Sequence, residues 1–499
     1  MTRLIGAAAA TWLLTASAAL TAAEPAFELA FPANVRGEPF TGRVYVFFSK
    51  ARNEPRFGPG WFNTQPFVSL DVTDWKPDTP LAIGPSTKEL LAYPKPLAEM
   101  SLDGFKAQAV ARFDPWDRNV GIGVGNAYSA TAELQAKRPE PVKFKLDSVV
   151  PPREFRDTKW SKQVEVRSKL LSDFHGRDVS LRGAVLLPAS YYDQPDRRYP
   201  VIYEIPGFGG THFEARREEP LKEQNEGGVE FLRIVLDPSC PLGHHVFADS
   251  ANNGPVGQAL TTEFIPEFER RYRAISEPAA RFLNGHSSGG WSSLWLQVTY
   301  PDFFGGVWSQ APDPVDFRDF QRIDLYRAGE NMYRTPAGER RPIARKGDEP
   351  LLWYDDFVKM ETVLGPGGQI YSFEGVFSPR GADGRPRLLF DRETGAIDAE
   401  VAETWRKYDI RLILAENWPA LEPRLRGKLH VFMGDLDTFY LEGATRLLKD
   451  TLSDLKSDAV VEFFPGKDHG NFVTPEFRQR VRREMTSAFL RSRSAEAAR

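Results

Sequence analysis

The sequence predicts an α/β domain with a mostly parallel sheet, interrupted by a long insertion and preceded by a small β-sandwich domain. Three observations point there. From Trp160 to Val298, short β-branched runs alternate with helical patterns, which is the rhythm of βαβ units. From Glu24 to Glu133, short strand-like runs follow one another across Pro- and Gly-rich turns without a helical period, as in a sandwich. A strand–turn–helix stretch, Arg281–Val298, carries Gly285-His286-Ser287-Ser288-Gly289, a G-x-S-x-G pattern.

Length and composition set the bounds. With 499 residues the chain can hold two or three domains and a large core. A net charge of -4 and a pI of 6.1 give no electrostatic reason to expect nucleic acid or an anionic membrane surface as partner. The single cysteine, Cys240, excludes an intramolecular disulfide; between Pro238 and Pro241 it reads as a small buried hydrophobe. Residues 1–23 read as a cleaved signal peptide. Arg3 supplies the positive end, Leu4 to Leu20 the apolar stretch, and Thr21-Ala22-Ala23 the small cleavage site. The stretch is too diluted by Ala and Thr for a firm anchor. The expectation is therefore a periplasmic or secreted protein with no stable membrane insertion after cleavage.

The elements follow in order. Residues 24–145 form the sandwich-like domain, with strands expected at Arg43–Phe48, Phe67–Val72 and Phe105–Phe113. Its aromatics Trp61, Trp75 and Trp116 are either core or a carbohydrate-binding surface. A Pro-rich, charged linker is expected over 146–159, and the catalytic domain over 160–495. That domain opens with strands at Val179–Leu187, Tyr199–Ile205 and Phe231–Leu236. A helix started by Pro255 comes next, presenting Leu260, Phe264, Ile265, Phe268 and Tyr272 on one face. After the G-x-S-x-G stretch comes the strand Gly305–Ser309. Between about 312 and 425 the rhythm breaks into a charged, aromatic-rich insertion, expected to cover the C-terminal edge of the sheet, where ligands of such folds bind. Strands resume at Leu429–Met433 and Val460–Phe464, and a helix from about Pro475 to Arg491 closes the chain.

The chemistry centres on Ser287. A serine hydroxyl becomes nucleophilic when a sharp turn lifts it out of the sheet beside a base. The pattern alone would arise by chance roughly 0.2 times in a chain of this length. Its context adds weight: Phe282-Leu283 before it reads as strand, and Trp291, Leu294, Trp295 and Val298 behind it as helix. Two histidines follow Ser287. His430 lies inside an apolar strand, whereas His469 lies in the turn Pro465–Asn471 just past the last strand, which makes it the candidate base. The loop Gly434-Asp-Leu-Asp437 offers Asp435 and Asp437 as the acid, with Asp435 the better placed for a turn role. An oxyanion needs two N–H donors. Ser288 supplies one, and the loop Gly207-Phe208-Gly209 the other, Phe208 being the choice with Gly207 or Gly209 as alternatives. Trp308, on the strand beside the elbow, is a substrate-binding candidate. No third or fourth ligand accompanies the aspartates at metal spacing, so neither metal nor cofactor is expected.

Taken in order, Gly207-Phe208-Gly209-Gly210, Phe247–Gly254, Gly285–Gly290, Gly434–Asp437 and Asp468–Asn471 resemble the putative-esterase family of α/β-hydrolases. That family includes enterochelin-type siderophore esterases, feruloyl and other carbohydrate esterases, S-formylglutathione hydrolases and mycolyl transferases. The resemblance covers roughly 160–310 and 427–490. It implies an α/β-hydrolase fold and ester cleavage by a Ser-His-Asp triad, with the acid of its G-x-x-D pattern at Asp437. It also implies that Asp249 and Asn252 line the substrate pocket or cap local structure. The expected function is thus an exported serine esterase, acting on a carbohydrate or siderophore ester or another small-molecule ester. The alternatives are an acyltransferase of the same fold and a glycan-binding protein on an inactive scaffold.

Overall fold

The computed structural model describes residues 27–135, 140–220 and 225–497; the signal-peptide expectation for 1–23 lies outside them. The N-terminal unit is all β. Three strands, Leu81–Ile83, Phe27–Ala30 and Val142–Lys145, make one sheet, and a seven-stranded sheet is built around Phe40–Ser49, Phe67–Trp75 and Lys106–Ala111. Side chains alternate between the faces of a strand, and here both faces of Phe40–Ser49 are used. Val44, Val46 and Phe48 join Phe27, Leu29 and Phe144 in a core shared by the two sheets. Tyr45 and Phe47 point the other way, into the core of the main domain. Ser148–Val149, expected as linker, instead forms an edge strand paired with Ala127–Tyr128. Linker composition did not exclude a two-residue pairing at a sheet edge.

The main sheet runs Ser161–Arg167, Ser180–Leu186, Leu232–Leu236, Val201–Ile205, Arg281–His286, Gly306–Gln310, Leu429–Gly434, Val460–Phe464. It is mixed. Ser180–Leu186 is antiparallel to both neighbours, and the other pairings are parallel. The reversal comes from the two-turn helix Lys169–His175, capped by the Ser168 hydroxyl and stopped by Gly176 at φ 64°. It turns the chain straight back along the strand it has just left. Val201–Ile205 sits out of sequence order, between Leu232–Leu236 and Arg281–His286. The chain thereby leaves two adjacent strands at their C-terminal ends, Ile205 opposite Gly285. Such a switch point opens a crevice at the sheet edge.

The helix Ser288–Thr299 is buried throughout its first eleven residues, so it cannot be amphipathic. Trp291 and Trp295, one turn apart, stack at 5.3 Å. The helix Ile410–Leu425 lies over it. On the opposite face the helix Pro475–Ala497 lays Phe477, Val481 and Met485 against Phe432 and Trp308.

Between Gln310 and Leu429 come the hairpin Pro342–Lys346/Glu349–Trp353 and the helices Tyr354–Leu364, Gln369–Phe377, Ala399–Trp405 and Ile410–Leu425. The end of Tyr354–Leu364 is tied to the N-terminal sheet by hydrogen bonds to its last carbonyls. Tyr45 Oη donates to Leu364 O at 2.6 Å, Ser69 Oγ to Val363 O at 2.6 Å and Arg43 Nη1 to Thr362 O at 3.0 Å. These satisfy carbonyls that a helix terminus leaves without partners, and they fix the N-terminal unit against the insertion.

Candidate active site

Ser287 stands between the strand Arg281–His286 and the helix Ser288–Thr299 at φ 60°, ψ -126°. A non-glycine residue in that region is strained. Its surroundings hold it there: Ser287 N–H donates to Gln310 O at 2.9 Å, and Trp291 N–H donates to Ser287 O at 3.0 Å. Two glycines make the turn possible. A Cβ on Gly285 would lie 2.0 Å from Gly289 O, and one on Gly289 1.9 Å from Ile205 O.

His469 lies across from this elbow and lines the same cavity as Ser287. Its Nδ1–H donates to Asp437 Oδ2 at 2.7 Å, leaving Nε2 as the acceptor nitrogen. Asp437 is wholly buried. Its other oxygen accepts from Phe439 N–H at 2.8 Å and, at 3.4 Å, from Leu441 N–H. Burial opposes a charged His469, but the Asp437 carboxylate outweighs it and raises the imidazole above its ordinary value. Asp435 is turned elsewhere: its Oδ1 accepts from Gly466 N–H at 2.7 Å, joining its loop to the one that carries His469. The insertion braces the Asp437 loop through Arg345, whose Nε donates to Asp437 O at 2.9 Å.

His286, the variable residue of the G-x-S-x-G pattern, also holds the backbone of His469. Its Nε2–H donates to His469 O at 2.8 Å. Burial and the neighbouring His469 hold it down to about 4, so it is neutral at pH 7. Sequence spacing gave no sign of this contact, because the two residues are 183 positions apart.

The loop after Val201–Ile205 passes directly over the serine. A Cβ on Gly207 would sit 3.1 Å from Ser287 Cβ. Phe208 N–H donates to no protein group among the described residues, and Ser288 N–H is at a helix start, where no preceding turn offers a carbonyl. The Phe208 ring is held from the N-terminal unit. Trp61 stacks on it at 5.6 Å and the Arg118 guanidinium lies 4.7 Å from its centre.

The cavity at Ser287 has a volume of about 280 Å³. Trp61 of the N-terminal unit, Phe357 and Phe373 of the insertion, and Phe439 of the Asp437 loop form aromatic walls. Asp313, three residues beyond the strand Gly306–Gln310, is the carboxylate facing it. The other N-terminal tryptophans are elsewhere. Trp75 is core, and Trp116 is exposed with the Arg177 guanidinium 3.9 Å above its ring.

Three expected substrate contacts are corrected. Trp308 is buried on the far face of the sheet, stacked on His430 at 4.5 Å and donating from Nε1 to Glu484 at 2.8 Å. Alternation along its strand sends it away from the elbow. Asp249 caps the helix beginning at Val256, accepting from Gly257 N–H at 2.7 Å and Gln258 N–H at 3.1 Å. Asn252 is buried and donates to Ser378 O at 2.9 Å, tying its loop to the insertion. None of the three lines the cavity at Ser287. Cys240, in a short hairpin strand, is pushed by burial up to about 12, which makes it an inert thiol.

Among curated proteins, none matches the chain. Three solved structures illustrate its similarities. A ferulic acid esterase is 15% identical, the match covering 65% of this chain and 96% of that one with a TM-score of 0.40. An S-formylglutathione hydrolase from Agrobacterium tumefaciens is 13% identical, with 66% and 95% covered and a TM-score of 0.40. A fluorophosphonate-binding serine hydrolase F from Staphylococcus aureus is 12% identical, with 67% and 99% covered and a TM-score of 0.39. A family model described as "Putative esterase" matches residues 177–375, a segment that holds both the Gly207–Gly210 loop and the Ser287 elbow. Over that segment the chain is similar to the putative esterase family, which supports an α/β-hydrolase-type fold and carboxylic ester hydrolysis.

Proposed function

We propose that the protein cleaves carboxylic esters through a triad of Ser287, His469 and Asp437. His469 Nε2 takes the proton of Ser287 Oγ as the oxygen attacks the ester carbonyl carbon. The carbonyl oxygen gains the negative charge, and the N–H groups of Phe208 and Ser288 receive it; one such donor is worth on the order of 10²–10³ in rate. The intermediate then collapses. The alkoxide leaves with the proton from His469, and the acyl group stays on Ser287 until water, activated by the same histidine, releases it. Asp437 holds His469 in the Nδ1–H tautomer and stabilises the imidazolium that forms. The observation carrying this reading is the 2.7 Å hydrogen bond from His469 Nδ1 to Asp437, beside a cavity that both His469 and Ser287 line.

The N-terminal unit, taken as a β-sandwich domain of about 24–145, acts with the catalytic domain of 160–495 by contributing Trp61 to the cavity wall. Residues 1–23 would direct export to the periplasm or medium. Carbohydrate or siderophore esters remain the substrate classes to try first.

The test is a fluorophosphonate probe with peptide mapping, followed by a panel of acetylated and feruloylated sugars, catecholate lactones and short p-nitrophenyl esters. Labelling at Ser287 with hydrolysis of some panel member supports the proposal. Labelling elsewhere, or none with an intact fold, sinks it. Release of acyl-alcohol in place of acid when an alcohol is added would identify a transferase.

A further inference from the structure

We propose that the ester this site is built for carries a positively charged nitrogen, an ammonium group seated between the aromatic walls of the cavity and against Asp313. The proposal rests on the assignment of Ser287 as nucleophile, since the cavity is the same one.

The argument starts from an unfilled hydrogen-bonding requirement. Asp313 is only 7% exposed. Its Oδ2 accepts from Ser288 Oγ at 2.6 Å and, at 3.5 Å, from Gln369 Nε2. Its Oδ1 receives no donor from the protein, and Asp313 forms no ion pair among the described residues. The other buried carboxylates are treated differently. Both oxygens of Glu269 are bound by Arg281, through Nε and Nη2, Glu374 is bound by Arg392 and Leu389 N–H, and Asp316 by Arg318 and Arg411. Glu361 has no arginine, yet its two oxygens accept from Gln369 and Ile370 N–H. A buried carboxylate is expensive unless it is paired, and Asp313 keeps one oxygen without a protein donor at the cavity that Ser287 lines. Burial accordingly pushes its carboxyl up to about 6.

The walls add a second observation. Among the described residues no lysine or arginine lines this cavity. The basic side chains there are His286, held neutral by burial, and His469, whose Nδ1 is already held by Asp437, so no permanent cation of the protein faces Asp313. What it supplies is aromatic rings, fixed against one another. Trp61 meets Phe208 at 5.6 Å in a stack, and Phe357 at 5.1 Å and Phe439 at 5.9 Å edge-on. Ring faces attract cations, indole most strongly, and more so where water is excluded. One carboxylate oxygen without a donor, in an apolar aromatic space lined by neither lysine nor arginine among the described residues, is complementary to an ammonium ion whose N–H can reach it. A neutral hydroxyl would satisfy the hydrogen bond but leave the charge unpaired.

The test compares charged esters with their neutral isosteres in the wild-type protein. Acetylcholine against 3,3-dimethylbutyl acetate places the charge in the alcohol. Methyl 6-aminohexanoate against methyl heptanoate places it in the acyl group. The expected result is kcat/KM at least ~10-fold higher for the charged member of one pair. Asp313→Asn should bring that ratio close to one. A measurement independent of turnover is protection: neopentylammonium, which carries N–H donors, should slow fluorophosphonate labelling of Ser287, and its neutral isostere neopentyl alcohol at equal concentration should not. Neutral isosteres hydrolysed as well as the charged esters in both pairs, or no difference in protection, would overturn the proposal while leaving the esterase reading in place. A Ser287 that neither takes the probe nor turns over any ester would remove the esterase reading and this proposal together.

Discussion

Replacing Asp437 by Asn, set against the same change at Asp435, separates orientation of the base from support of the loop. Asp437 Oδ1 would keep its bond from Phe439 N–H in the variant, since an amide oxygen accepts as a carboxylate does. The face towards His469 changes sign. In place of an oxygen accepting from Nδ1–H at 2.7 Å, it presents an NH₂ group. His469 then adopts the other tautomer, with the proton on Nε2, and cannot take one from Ser287. Loss of the ion pair with the imidazolium adds to this. The expected loss is on the order of 10⁴ in kcat, or about 5.5 kcal/mol of barrier, with KM little altered. Asp435→Asn keeps its acceptor for Gly466 N–H and weakens only a charge-assisted bond. It should cost about 1 kcal/mol of stability and leave kcat within a few-fold. Initial rates on p-nitrophenyl acetate at pH 8, with thermal unfolding of both variants, give the comparison. An Asp437→Asn enzyme within tenfold of wild type would refute the reasoning, as would an equal collapse in Asp435→Asn.

Other outcomes follow from the same geometry. Ser287→Ala should lose ~10⁴-fold or more in turnover while melting within a few degrees of wild type; near-normal rates would exclude Ser287 as nucleophile. Because His469 must be neutral to act and its pKa is raised by Asp437, kcat/KM should fall on the acid side with a midpoint above about 6.5. A pH–rate profile flat down to pH 5.5 would contradict that sign. Trp61→Ala should raise KM for cavity-filling esters and relax the Phe208 loop, whereas Trp61→Phe should keep most of the effect of the ring; equal kinetics for the two would show that the N-terminal unit does not shape the site. Gly289→Ala places a methyl 1.9 Å from Ile205 O and should destabilise by several kcal/mol, read as a lowered melting temperature.

What the sequence determined by itself is local. The G-x-S-x-G elbow was legible because its glycines answer contacts within one turn and with the neighbouring strand, and the strand and helix around it carry their own periodicity. His469 and Asp437 stood out because each follows a strand at the edge where Ser287 emerges. What lay outside the sequence depends on contacts between distant segments. Trp61 reaches the cavity because the second face of Phe40–Ser49 docks against the insertion, and no pattern near Trp61 encodes that docking. Whether a tryptophan beside the elbow points in or out turns on strand register, which sent Trp308 to the helix Pro475–Ala497. Asp249 and Asn252 carry side chains suited equally to ligand and to backbone, and only the helix start at Val256 and the carbonyl of Ser378 decided between them. Asp313 reads as one acid among many in the sequence. Its distinction, a carboxylate oxygen with no protein donor at the cavity that Ser287 lines, exists only once the sheet edge, the insertion and the N-terminal unit close around it.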